Sequence, residues 1–167
     1  MKLLKLSIVC LLFTAFIACG DDDDGAETTN NSADLRVDVD GVNFEPGLIV
    51  SQMTSMGRYL AITSSESAGM GNSLAIAIGS LDEQDPVLAV GTYSTVEGQT
   101  AIIYTIEGTT TYQTFMSEAT AQITITALNT SERTISGTFQ GTVKNLISGE
   151  TIELTNGEFN DLSYTDN

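Results

Sequence analysis

Ala119-Thr120-Ala121-Gln122-Ile123-Thr124-Ile125-Thr126-Ala127 decides the fold class. Ala121, Ile123, Ile125 and Ala127 recur at every second position, with Gln122, Thr124 and Thr126 between them. A period of two puts the two sets on opposite faces of an extended strand. Threonine and isoleucine suit a half-exposed sheet.

The pattern extends downstream. Ile135, Gly137, Phe139, Gly141 and Val143 share one face, and Thr134, Ser136, Thr138, Gln140 and Thr142 the other. Ser148-Gly149 predicts a turn, after which Ile152 and Leu154 continue the alternation. Asn156-Gly157 predicts a tight turn before Phe159, Leu162 and Tyr164, because that dipeptide accepts positive φ twice. Gly137 and Gly141 are expected to leave room for a ring or to bend the sheet, in preference to admitting a ligand.

Upstream, Leu35, Val37 and Val39 alternate with Arg36, Asp38 and Asp40. Gly41 breaks the run, and Val42 and Phe44 follow before Pro46-Gly47. Leu48 to Val50, Tyr59 to Ile62, Leu74 to Ile78 and Val87 to Tyr93 are further strand candidates. Ser64 to Ser73 reads as a mobile loop, and Asp82 to Pro86 as a turn. Ala101 to Ile106 and Thr110 to Phe115 flank Gly108 as a hairpin. No window of helical length carries a 3.6 period. The expected fold is all-β, an antiparallel β-sandwich, with a closed lipocalin-like β-barrel as the alternative.

The N-terminus has the three parts of a secretory signal. Lys2 and Lys5 supply the positive region, Leu6 to Ala18 is almost wholly apolar, and Phe16-Ile17-Ala18 leads to Cys19. The apolar run is shorter than the roughly 20 residues that a spanning helix needs. A cysteine stands at the expected cut, so residues 1–18 read as a lipoprotein signal peptide and Cys19 as the lipidated residue, by palmitate and related acyl chains. Residues 19–33 read as an acidic, polar tether without apolar periodicity. Residues 34–167 read as a single β domain.

Loss of the signal removes Lys2, Lys5 and Cys10. Arg36, Arg58, Arg133 and Lys144 then stand as four cations against 22 acids, a net charge of −18. Such a chain lacks the clustered cations that nucleic acid requires. With Cys19 acylated, no thiol remains for a disulfide, and the chain contains no histidine.

Three pieces carry a resemblance: Ile123-Thr-Ile-Thr-Ala-Leu, Arg133-Thr-Ile-Ser-Gly-Thr-Phe, and Ile152-Glu-Leu-Thr-Asn-Gly-Glu-Phe159. With Asp40-Gly41 at the start of the domain and Gly91-Thr92-Tyr93 in its middle, the chain resembles a family of uncharacterised Bacteroidota lipoproteins. The resemblance covers most of residues 34–164 and implies location and fold, without an activity to transfer. It also implies that Asp21, Asp22, Asp23 and Asp24 act as an export signal to the outer face of the outer membrane.

Most catalytic and metal-binding patterns lack their residues here. Ser-His-Asp and Cys-His catalysis need residues that the mature chain lacks. Zinc sites of His and Cys fail for the same reason. No Gly-rich phosphate loop ending in Lys-Ser/Thr occurs. Asp38-Val39-Asp40-Gly41 is not an EF-hand loop, because position one would be Arg36 and position twelve Gly47. Asp82, Glu83 and Asp85 read as solvated turn acids in preference to a calcium site or a glycosidase pair. The tyrosines read as core or sheet-face residues, and the domain has no tryptophan platform for sugars.

The expectation is a non-enzymatic, lipid-anchored binding, adhesion or assembly module of the cell envelope, without cofactor or metal, acting through its loops. Its partners would be the membrane, through the lipid, and a protein, glycan or small molecule. A lipocalin-like carrier of a small apolar ligand is the alternative.

Overall fold

A computed structural model describes residues 34–54, 56–67, 70–82 and 84–166. Cys19 and Asp21 to Asp24, with the signal and tether, lie outside the described residues. The twelve strands are β1 (Asp34–Val39), β2 (Val42–Phe44), β3 (Leu48–Thr54), β4 (Tyr59–Ser67), β5 (Met70–Gly79), β6 (Gly91–Ser94), β7 (Thr100–Ile106), β8 (Thr110–Gln113), β9 (Ala121–Asn129), β10 (Thr134–Lys144), β11 (Thr151–Ser163) and β12 (Thr165–Asp166). No helix occurs among the described residues.

The strands form one open sheet that folds over in a sandwich-like arrangement. One half runs β6-β9-β10-β11-β1-β2, and the other β12-β3-β4-β5-β7-β8. The halves meet where Lys144 of β10 pairs with Gln113 of β8, and where β11 passes through Tyr164 into β12. The sheet does not close into a barrel. It is mixed, because β12 pairs with β3 in parallel while the other ladders are antiparallel.

Alternation builds the core. Leu60 and Ile62 of β4, Leu74, Ile76 and Ile78 of β5, Ile102 of β7, and Ile123 and Ile125 of β9 are buried, and they join Leu35, Val37, Phe139, Leu154 and Phe159 in one apolar cluster. The Phe44 ring meets the Tyr104 ring edge-on at 5.7 Å, bringing β2 of one half against β7 of the other. Burial of this kind contributes roughly 25 cal/mol per Å² of apolar surface, which is the main force holding the halves together.

Three expectations are corrected. Ser64 to Ser73 is not a loop: β4 continues to Ser67 and β5 begins at Met70. That end is fixed by polar bonds, since Glu66 accepts from Asn72 N at 3.0 Å and from Asn72 Nδ2 at 3.1 Å. Asn156-Gly157 is not a turn but a bulge inside β11. Arg36 pairs with Glu158 and Asp38 with Thr155, so Val37 faces two residues. Asn156 takes φ 52°, the left-handed conformation that asparagine tolerates. Val87 to Val90 is not strand, because β6 begins at Gly91; Leu88 alone turns into the core, at 5% exposure.

A second bulge lies at Asp161, with φ 49°. Ser136 Oγ accepts from Asp161 N at 2.9 Å and donates to its carboxylate at 3.2 Å. Bulges bend a strand and raise its twist. They curve the β10–β11–β1 region, where the candidate site lies.

Candidate functional site

The register across five strands puts polar side chains in line. Thr92 of β6 faces Thr124 of β9, which faces Thr138 of β10. Thr138 faces Glu158 of β11, and Glu158 faces Arg36 of β1. These residues occupy the positions between the buried ones, so they stand on the outer face. The Thr92 and Thr124 hydroxyls are 3.0 Å apart. Arg36 Nη2 meets Glu158 Oε1 at 2.8 Å.

A second row runs beside it. Ser94 faces Gln122, and Gln122 faces Gln140. The row then reaches the Asn156 bulge, where Asn156 Nδ2 donates to Asp38 Oδ2 at 2.8 Å. Asp38 in turn faces Asn43 of β2. Asn43 Nδ2 donates to Glu45 Oε1 at 2.8 Å. The extra residue of the bulge turns the Asn156 amide onto the outer face, against Asp38.

From β9 onward the two rows floor a cleft of about 730 Å³, lined by residues 36, 38, 43, 45, 122, 124, 138–140 and 156–158. Its groups are carboxylates, primary amides, hydroxyls and one guanidinium. Phe139 forms part of the floor but is only 3% exposed. Each of the three carboxylates already accepts a bond from a neighbour: Glu158 from Arg36, Asp38 from Asn156, and Glu45 from Asn43. These pairs hold the charged groups and two of the amides in place on the face.

The residues singled out from sequence fall elsewhere or into other roles. Asp82 and Asp85 make a turn, with Asp85 N on Asp82 O at 3.1 Å and Gln84 N on Asp82 Oδ1 at 3.1 Å; Glu83 lies outside the described residues. Asp40 pins the β1–β2 hairpin to β11, its carboxylate accepting from Glu153 N at 2.8 Å. Among the described residues, no three acids converge as a metal site. Tyr59, Tyr104, Tyr112 and Tyr164 are buried, and Tyr93 spends its hydroxyl on the backbone of Ala89. Burial pushes the Tyr59 phenol up to about 12.

Gly137 and Gly141 serve packing. A Cβ on Gly137 would stand 2.5 Å from both Phe159 Cζ and Thr124 O, and one on Gly141 would collide with the backbone of Thr120. Sequence reasoning expected function at the loops and missed the sheet face. The alternation marked Gln122, Thr124, Thr138 and Gln140 as outward, but only the register brings them together.

No curated protein and no solved structure matches the chain. The family model described as a domain of unknown function, DUF6252, matches residues 31–163, which covers the whole sandwich apart from its last strand, and the chain belongs to that family.

Proposed function

We propose that this chain is a non-enzymatic binding module of the cell envelope, held to the outer membrane by lipid on Cys19, with the two-row cleft as its binding face. The cleft is the observation that carries the reading. Its charged groups and the Asn43 and Asn156 amides are held by one another and the face is open to solvent, which lowers the ordering cost of recognition at those groups. The same pairing weighs against acid–base catalysis, since each cleft carboxylate is engaged by a donor. A carrier of apolar ligands would need an unfilled interior. Here Ile62, Ile76, Ile102, Ile123, Leu154 and Phe159 fill the inner faces without exposure, and the sheet is open.

The N-terminal sequence supports the location. Several acyl chains on Cys19 would give a stable anchor where one would not. Asp21 to Asp24 would direct display on the cell surface. Lipid labelling and non-permeant protease treatment of intact cells test both parts. Cys19→Ala should take up no label and leave the membrane fraction. A C-terminal epitope should be lost from intact cells only while Asp21 to Asp24 are present. Labelled Cys19→Ala protein would refute the anchor, and an epitope protected in both forms would place the domain on the periplasmic side.

A further inference from the structure

We propose that the cleft takes a neutral, hydroxyl-rich chain, an oligosaccharide laid across the strands. This rests on the reading of the cleft as a binding face. Gln122 and Gln140 stand opposite each other on β9 and β10, both exposed. Each primary amide can donate two bonds and accept others. Thr138 and Asn156 flank them. This set of planar amides and hydroxyls matches vicinal hydroxyl groups, which both donate and accept.

Charge and polarity weigh against anionic and apolar ligands. Arg36 is the only cation among the residues that line the cleft, and it is held by Glu158 at 2.8 Å. A sulfated, phosphorylated or uronate ligand would meet Asp38, Glu45 and Glu158 without a free cation to offset them. An apolar ligand would strip water from amides and carboxylates and return no bonds. Phe139, the one aromatic ring in the lining, is buried beneath the face. Binding is therefore expected to rest on hydrogen bonds and to be weak per ring.

Length supports a chain over a single ring. The cleft runs from Gln122 and Thr124 on β9 across β10, β11 and β1 to Asn43 on β2, four inter-strand steps, or about 19 Å at the usual strand spacing. The face is thus long enough for an extended oligomer, whose rings would meet equivalent polar pairs in succession.

The test uses the full chain in a detergent without a sugar headgroup. It is applied to immobilised neutral gluco-, manno- and xylo-oligosaccharides, to sulfated and uronate oligosaccharides, and to a lysine-rich peptide. The expected result is retention on a neutral oligosaccharide, unchanged by added salt. The Gln122→Ala, Gln140→Ala double variant should weaken it by about tenfold, while Ile147→Ala, on the exposed β10–β11 turn, leaves it unchanged. Circular dichroism of the variants confirms that the fold is kept. Retention only on the anionic oligosaccharides, or only on the peptide with loss in Glu45→Gln, overturns the oligosaccharide and leaves the binding face standing. Neutral binding that ignores the double variant places the site elsewhere and overturns the inference. Retention on none of the probes overturns the inference and removes the support for the binding face with it.

Discussion

Gly137 faces Phe159 across the β10–β11 ladder, and two residues along, Phe139 faces Gly157. The exchange is reciprocal: each glycine leaves the space that the opposite ring fills. The rings lie 6.5 Å apart, 27° from parallel. The residues between them, Thr138 and Glu158, pair with each other and point the other way, into the cleft. Six residues thus pack the core on one side and set the middle of the polar row on the other. Gly137→Ala should cost about 3 kcal/mol, because Thr124 O is backbone and cannot yield. Urea unfolding measures it. A loss within 0.5 kcal/mol, roughly the scatter of ordinary surface changes, would contradict the packing account.

Tyr59 behaves oppositely. Its hydroxyl is buried without a hydrogen-bond partner among the described residues. Removing an unsatisfied group relieves its desolvation, so Tyr59→Phe should leave stability unchanged or raise it by about 1 kcal/mol. A fall of more than that would show that the hydroxyl has a partner.

The same residue gives a pH dependence. Burial raises the phenol from 10.0 to about 12, so the folded state keeps its proton where the unfolded chain releases it. The contribution is fully present below pH 10 and is lost as pH rises toward 12, up to about 3 kcal/mol. Stability profiles of the wild type and Tyr59→Phe should diverge across that window and run parallel below it.

Asn145 holds the β10–β11 turn from inside. It is 7% exposed, and its side-chain oxygen accepts from Ile147 N at 2.8 Å and Ser148 N at 2.9 Å. Asn145→Ala orphans both donors and should cost about 1–2 kcal/mol. Asn145→Asp keeps the acceptor and should recover most of that. Hydrogen exchange at Ile147 and Ser148 reports the local opening.

Arg36→Ala separates binding from stability. The Arg36–Glu158 pair is open to solvent, with side chains 56% and 30% exposed. Its loss should cost less than about 1 kcal/mol, and less still in high salt. A larger, salt-independent loss in thermal unfolding would make the pair structural.

Much of the fold was legible where one face is buried and the other wet. Ile123 and Ile125 alternate with Gln122 and Thr124 because the core lies on one side only. The β4–β5 end was not legible. Ser65 pairs with Ser73 there, and neither residue carries an apolar signal. Asn156-Gly157 misled for a different reason. Its tolerance of positive φ serves a bulge, and Gly157 is required by the Phe139 ring, 2.7 Å from where its Cβ would stand. The cleft was hidden because Thr124, Thr138, Glu158 and Arg36 are scattered along the chain and become a row only by strand pairing.

The most direct test is nuclear magnetic resonance of the labelled chain during titration with neutral oligosaccharides. The account predicts that the side-chain amides of Gln122, Gln140 and Asn156 shift first, with the backbone of Thr124 and Thr138. Shifts confined to the turns around Asn145 or Gly108, with the cleft amides unmoved, would contradict it and return function to the loops.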